Sequence, residues 1–117
     1  MKANLMCFGE IEIEGQRYEH DVVIEAGRVS KRNKKPSKSL RDRYGHTRLS
    51  AQERIPWGGN RLIIGTGVYG NLPVTPEVNE EAEQRNIELT VLPTREACRL
   101  LEDLKSKDTY AVLHCTC

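Results

Sequence analysis

The sequence predicts an α/β domain of three layers, built from a Rossmann-like β-α-β-α-β half with parallel strands and an N-terminal antiparallel β meander. Two observations carry this prediction. In the first third of the chain, apolar residues alternate with polar ones, as they do in half-buried strands. In the last half, short apolar runs alternate with amphipathic helical patterns, which implies parallel pairing with right-handed crossovers. The 117 residues leave room for one core, so residues 1–117 are assigned to a single domain.

The N-terminal third predicts three antiparallel strands before the first proline of the chain. Ile11 and Ile13 alternate with glutamates, and the even spacing resumes over residues 18–24 after a glycine turn. An Ala-Gly break then precedes a basic third strand that opens at Val29. We expect a polar loop over residues 39–54, because this stretch lacks a periodic apolar pattern.

The last half predicts three strands, at residues 61–64, 87–92 and 110–116. Thr75 is placed to cap the helix between the first two, with proline at the first helical position and the helix end near Asn86. Thr94 is placed to cap a second helix between the last two strands. Its apolar stripe has the spacing i, i+3, i+4 and i+7 and consists of Ala97, Leu100, Leu101 and Leu104.

The position of the helices depends on the order of the parallel strands. If these strands lie in sequence order, right-handed crossovers place both helices on one face of their sheet. The opposite face is then bare, and the meander is the element left to cover it. We therefore expect the meander to pack on the parallel sheet or to extend it.

Charge is divided unevenly along the chain. From Arg28 to Arg48 there are nine basic residues and one acid, a net charge of +8, and the remainder of the chain has a net charge of −7. Three interpretations stay open: an edge strand protected by its charges, a dock for an acidic protein partner, and weak, non-specific nucleic-acid binding. We favour them in that order, because aromatic side chains that would stack on bases are scarce. The candidate basic surface consists of Arg28, Lys31, Arg32, Lys34, Lys35 and Lys38.

Cysteine usage and hydropathy predict a cytoplasmic protein without a membrane segment. The four cysteines form no Cys-x-x-Cys pair, and no apolar run approaches the roughly 20 residues of a membrane-spanning helix. His114 is followed by Cys115 and Cys117, and this set of residues suggests a metal site. In a strand, however, the histidine points away from both cysteines, so we expect no metal ion and no cofactor.

Several motifs occur in an order that resembles a known family. Ile63-Ile64-Gly65-Thr66-Gly67 precedes Thr75-Pro76-Glu77, then Pro93-Thr94-Arg95-Glu96-Ala97 and the ending His114-Cys115-Thr116-Cys117, while Phe8-Gly9-Glu10 fits the opening strands. Together they resemble the Mth-type domain, which an adipogenesis-associated protein and a mitochondrial complex I assembly factor also carry. The resemblance covers nearly the whole chain. It implies a three-layer α/β domain and no established reaction.

The segment Gly65–Gly70 matches the pattern G-x-G-x-x-G directly after a predicted strand. A dinucleotide site is not expected, because two prolines delay the helix and the next strand ends without a carboxylate for a ribose. The glycines suit a tight turn, and the alternative is a nest of backbone amides for a small anion or carboxylate. The candidate ligand residues are Gly65, Thr66, Gly67, Gly70, Thr94 and His46.

These observations predict, first, a non-enzymatic binding or assembly-assisting domain with a protein partner. No catalytic triad can be assigned from spacing, and the resemblance implies no reaction. The alternative is a small anionic-ligand or enzymatic site at the Gly65–Gly70 loop. A second alternative is weak, non-specific nucleic-acid binding through residues 28–48. We expect a monomer or a weak homodimer.

Overall fold

The computed structural model describes residues 1–35 and 49–117. These residues form eight strands and two α-helices, and a short 3-10 helix (Ser106–Asp108) precedes the last strand. The strands are β1 (Ala3–Cys7), β2 (Glu10–Ile13), β3 (Gln16–Tyr18), β4 (Val22–Glu25), β5 (Arg28–Lys31), β6 (Arg61–Thr66), β7 (Glu88–Leu92) and β8 (Tyr110–His114). The helices are α1 (Pro76–Gln84) and α2 (Thr94–Glu102).

The N-terminal residues form an antiparallel sheet in the order β1-β2-β3. The predicted alternation is confirmed in β2, where Ile11 and Ile13 are buried and the glutamates between them are not. Strand β1 was not predicted. The structure has two strands where one was expected over residues 18–24. Strand β3 pairs with β2, whereas β4 belongs to a second sheet.

The second sheet has five strands in the order β5-β4-β8-β6-β7. Strand β6 is parallel to both β7 and β8, while β4 is antiparallel to β8 and to β5. We expected the meander either to pack on the parallel sheet or to extend it, and the structure shows both arrangements. Its first part forms the separate three-stranded sheet, and its second part extends the sheet that contains the parallel strands.

The parallel strands do not lie in sequence order, since β6 lies between β8 and β7. The crossover from β6 to β7 and the crossover from β7 back past β6 to β8 therefore run in opposite directions, and right-handedness places the helices on opposite faces. One face, with Ile63 and Leu113, packs against α2 and the three-stranded sheet. The other, with Leu62 and Ile64, packs against Val78 of α1. The expectation that both helices share a face is wrong because it assumed sequential strand order.

The described residues thus form a mixed α/β fold with one five-stranded mixed sheet and one three-stranded antiparallel sheet. The finer Rossmann-like classification stays a prediction. Neither α-helix in the described part of the chain is long and apolar enough to cross a membrane.

Candidate functional site

The glycine loop, residues 65–70, holds the last residues of the chain. Gly67 has a φ of +106°, and a Cβ atom there would lie 2.3 Å from the carbonyl carbon of Cys117, so this position requires glycine. The Val68 amide donates to the carbonyl of Thr116 at 2.7 Å. Two further amides of this region donate to the backbone oxygen of Cys117 at 3.1 and 3.0 Å. The loop thus binds the chain's own oxygens.

Thr94 joins the glycine loop to β8 and does not cap α2. Its buried hydroxyl accepts a hydrogen bond from the Gly67 amide at 2.8 Å and donates one to the His114 carbonyl at 2.5 Å. Pro93 occupies the N-cap position instead, so the predicted capping role is wrong. The Thr75 hydroxyl also makes no capping bond, although this residue does precede α1 as expected. The Thr94 hydroxyl is therefore held by tertiary contacts, whereas the buried Thr75 hydroxyl has no hydrogen-bond partner among the described residues.

The structure brings most of the predicted ligand residues together. A Cβ atom on Gly65 would lie 2.8 Å from the Thr94 hydroxyl, one on Gly70 would lie 3.6 Å from the Thr66 hydroxyl, and that hydroxyl donates to a β7 carbonyl at 3.1 Å. Their polar groups are therefore occupied within the chain, and a ligand at this loop stays a prediction. His46 lies outside the described residues.

A second cluster of polar residues, which the sequence analysis missed, lies where β4, β5 and β8 meet. This buried charge cluster consists of Asp21, Arg32, Glu53 and His114. The guanidinium of Arg32 makes two bonds of 2.8 Å to the carboxylate of Glu53 and one of 2.9 Å to Asp21 Oδ2. Such bidentate, charge-assisted pairing offsets the desolvation of buried ions.

Arg32 belongs to the predicted basic surface, and that assignment is wrong, because its side chain is only 1% exposed. Burial by itself would lower the pKa of the guanidinium, but the carboxylates of Glu53 and Asp21 outweigh burial and raise that pKa. Lys31 and Lys35 are exposed as predicted, as is Arg28, and Lys34 is partly exposed. Lys38 lies outside the described residues.

Asp21 also holds His114. The carboxylate oxygen Oδ2 of Asp21 lies 2.7 Å from His114 Nδ1, and Oδ1 accepts the Cys115 amide at 3.0 Å. Burial would raise the pKa of the Asp21 carboxyl, but His114, the Cys115 amide and Lys34 outweigh it and hold that pKa well below its usual range. The other ring nitrogen, His114 Nε2, lies 3.1 Å from the hydroxyl of Thr116.

Among residues 1–35 and 49–117, no group of three or more His, Cys, Asp or Glu side chains is arranged so that it could hold a metal ion. Cys115 is buried, and burial, followed by the charge of Asp21, raises the pKa of its thiol to about 12. Cys98 of α2 is also in the core, where burial raises its thiol pKa to about 12. Both buried thiols are therefore protonated at neutral pH and poor nucleophiles.

A cleft of about 420 Å³ opens above this cluster, and we call it the basic cleft. Asp21, just before β4, and Thr116, two residues after β8, line it. The ammonium of Lys34 lies 3.7 Å from Asp21 Oδ2 at its edge. Its charged lining residues comprise four bases and two acids: Lys31, Arg32, Lys34, Lys35, Glu19 and Asp21. A second cleft, of about 430 Å³, is lined by Arg28, Ser30 and Arg54, and it shares Lys31, Arg32 and Asn33 with the basic cleft. The two clefts therefore meet at the end of β5.

Two solved structures are similar to this chain along almost its full length. The conserved hypothetical protein PH1505 from Pyrococcus horikoshii OT3 is 33% identical, with all of both chains covered and a TM-score of 0.82. The structure titled MT938 is 27% identical, with 95% of both chains covered and a TM-score of 0.68. No curated protein matches. Residues 5–114 match the family described as Protein of unknown function (DUF498/DUF598), and the chain belongs to this family.

Proposed function

We propose that this protein binds an acidic, extended segment of a partner protein along β5. The observation that carries this proposal is the position of β5 at the edge of the five-stranded sheet, where Arg28 and Lys31 are exposed. Among the described residues, β5 pairs with β4 alone. An edge strand presents backbone N–H and C=O groups to which another strand can be added.

The two clefts beside β5 support strand addition. Arg28 and Ser30 line the second cleft, Lys34 and Lys35 line the basic cleft, and Lys31 and Asn33 line both. An added strand would therefore lie beside both clefts, and carboxylates on its side chains would meet lysine and arginine.

The same charges explain why β5 would select an acidic segment. Opposite charge accelerates encounter with such a partner, and like charge repels the β5 edge of a second copy. Edge protection and acidic-partner binding, which the sequence analysis separated, are therefore two consequences of one basic edge. The resemblance to the Mth-type domain, which an assembly factor also carries, is consistent with a protein partner.

The cytoplasm is the compartment we propose for this interaction. All four cysteines are free thiols, and two of them, Cys98 and Cys115, are buried. A reducing compartment maintains that state.

The test measures binding of a fluorescein-labelled peptide of alternating Glu and Val by fluorescence anisotropy. The double variant Arg28→Gln/Lys31→Gln should weaken binding by about tenfold, because each residue contacts the added strand through charge. The matched control, Arg95→Gln/Arg99→Gln, removes the same charge from exposed positions of α2 and should change affinity less than twofold. Amide exchange of residues 28–31 should slow on binding, since strand addition protects edge amides.

Three outcomes contradict the proposal. The first is equal binding of the acidic peptide and a Lys-Val peptide of the same length. The second is an equal loss of affinity in the two double variants. The third is tighter binding of duplex DNA than of the acidic peptide at physiological salt, with affinity for DNA lost in Arg28→Gln/Lys31→Gln. That result would favour the nucleic-acid interpretation.

A further inference from the structure

We propose that Thr116 is a nucleophile activated by His114, and that the floor of the basic cleft is an acyl-transfer site for anionic esters or thioesters. This inference goes beyond the proposed binding function and depends on different contacts. Peptide binding concerns the edge of β5, whereas this site is formed by the start of β4 and the end of β8.

The geometry is that of an activated hydroxyl. Asp21 Oδ2 lies 2.7 Å from His114 Nδ1, and His114 Nε2 lies 3.1 Å from Thr116 Oγ1. A nucleophile within about 2.6–3.2 Å of a base that is itself oriented by a third group is the arrangement nucleophilic catalysis requires. Thr116 is partly exposed and lines the basic cleft, so a substrate can reach its hydroxyl.

The surrounding charges set the proton positions. Arg32 and Lys34, which follow β5, face Asp21, and Glu53 forms an ion pair with Arg32. They favour an ionised Asp21 that accepts the Nδ1 proton. In the tautomer that carries its proton on Nδ1, His114 has an unprotonated Nε2 directed at the Thr116 hydroxyl, ready to accept its proton.

The backbone holds Thr116 in place on both sides. The carbonyl of Thr116 accepts the Val68 amide at 2.7 Å, and the carbonyl of Cys115 accepts the Gly9 amide at 2.7 Å. A reacting group fixed in this way loses little entropy when a substrate binds. The glycine loop then has a positioning role, because it anchors the segment that carries the nucleophile.

The reaction proceeds in two balanced steps. Thr116 Oγ1 bonds to the acyl carbon while its proton passes to His114 Nε2, and the leaving alcohol or thiol takes that proton as the ester bond breaks. Water then attacks the acyl-threonine, gives a proton to His114, and releases the carboxylic acid as the hydroxyl is restored. Lys34 and Lys35 line the cleft and favour acyl groups that carry a second, negatively charged end.

The test uses mono-4-nitrophenyl glutarate as an anionic ester and 4-nitrophenyl butyrate as its neutral comparison. The full chain should release 4-nitrophenolate faster from the anionic ester and gain one glutaryl group, located on Thr116 by peptide mass spectrometry. Thr116→Ser should keep both properties. Thr116→Val should lower the acylation rate by about 100-fold or more, because general-base activation is lost with the hydroxyl. Thr90→Val, the same change in β7, is the control and should react as the unmodified protein does.

The positioning role of Asp21 has a separate readout. In Asp21→Asn, the amide can donate to Nδ1 and reverse the tautomer, so the maximal acylation rate should fall by about 100-fold or more without a change in the substrate concentration at half-maximal rate. If this variant does not fold, the acylation rate of Thr116→Val is the test of the proposal, since that change leaves the buried charge cluster intact.

The inference is overturned if the unmodified protein gains no acyl group on Thr116, or if Thr116→Val is acylated at the same rate. Its failure is distinguishable from that of the proposed function. Acidic-peptide binding is measured in Arg28→Gln/Lys31→Gln, and that pair of substitutions leaves Asp21, His114 and Thr116 in place.

Discussion

The glycine loop and the basic cleft both adjoin residues 115–117, yet they differ in how their polar groups are used. In the loop, every backbone amide from Gly67 to Leu72 donates to an oxygen of the chain itself. In the cleft, the Thr116 hydroxyl and three lysines border an open space of about 420 Å³. A donor with an internal partner offers a ligand little net gain. Of the two regions, the cleft is therefore the better candidate for binding.

The two regions also differ in what holds them together. Backbone hydrogen bonds and a glycine with no room for a side chain hold the loop, whereas paired buried ions hold the floor of the cleft. The following four predictions test that difference, from the largest expected effect to the smallest.

The largest effect is expected for Arg32→Met. The change leaves Asp21 and Glu53 buried without their shared cation, so the free energy of unfolding should fall by about 3–5 kcal/mol. Urea denaturation measures it. The control is Arg17→Met, whose side chain is 63% exposed in its ion pairs and should contribute less than about 1 kcal/mol. A loss for Arg32→Met no larger than that of the control would contradict the importance of the cluster.

Gly67→Ala should have the next largest effect. Its Cβ atom would overlap the backbone of Cys117 at a positive φ, so the free energy of unfolding should fall by about 2–4 kcal/mol. Gly15→Ala is the control for backbone strain alone. Gly15 has a φ of +83°, and a Cβ atom there would have no neighbour within 4 Å, so its loss should be about 1 kcal/mol. Equal losses would show that the contact with Cys117 is unimportant.

Acid should weaken the cleft floor through Asp21. Because the pKa of this carboxyl is lowered on folding, its contribution to stability is complete above the unfolded value of about 4 and disappears as the pH falls through the lower folded value. Between about pH 4 and pH 2, the unmodified protein should lose about 2 kcal/mol more than Asp21→Asn does. Parallel pH dependences for the two proteins, measured by urea denaturation, would exclude Asp21 as the source.

The smallest effect is expected when phosphate, sulfate or small carboxylates are titrated and amide shifts are followed by NMR. Amides of residues 31–35 and 115–116 should move at millimolar anion, because they adjoin the exposed ammonium groups of Lys31 and Lys35. Amides 67–71 should stay still, since all are bonded within the chain. Shifts confined to residues 65–70 would reverse the comparison and restore the glycine loop as the ligand site.

Local pattern was sufficient to predict several elements and insufficient to arrange them. The alternation in β2 and the order of β6, α1, β7, α2 and β8 follow from periodicity, which depends on neighbours a few residues apart. The strand order β8-β6-β7 depends on which apolar faces meet, and no local pattern encodes that choice. The division of the chain between β3 and β4 was missed for the same reason.

The sequence alone determined the charge asymmetry, the amphipathic stripe of α2 and the turn after β6, because each is a property of adjacent residues. Only the tertiary structure decided that Arg32 is buried and that Thr94 bonds to Gly67 and His114. The same is true of the Asp21–His114 contact, which joins residues 93 positions apart. The free energy of a buried ion or hydroxyl depends on the partner that folding brings beside it, and that partner is distant along the chain.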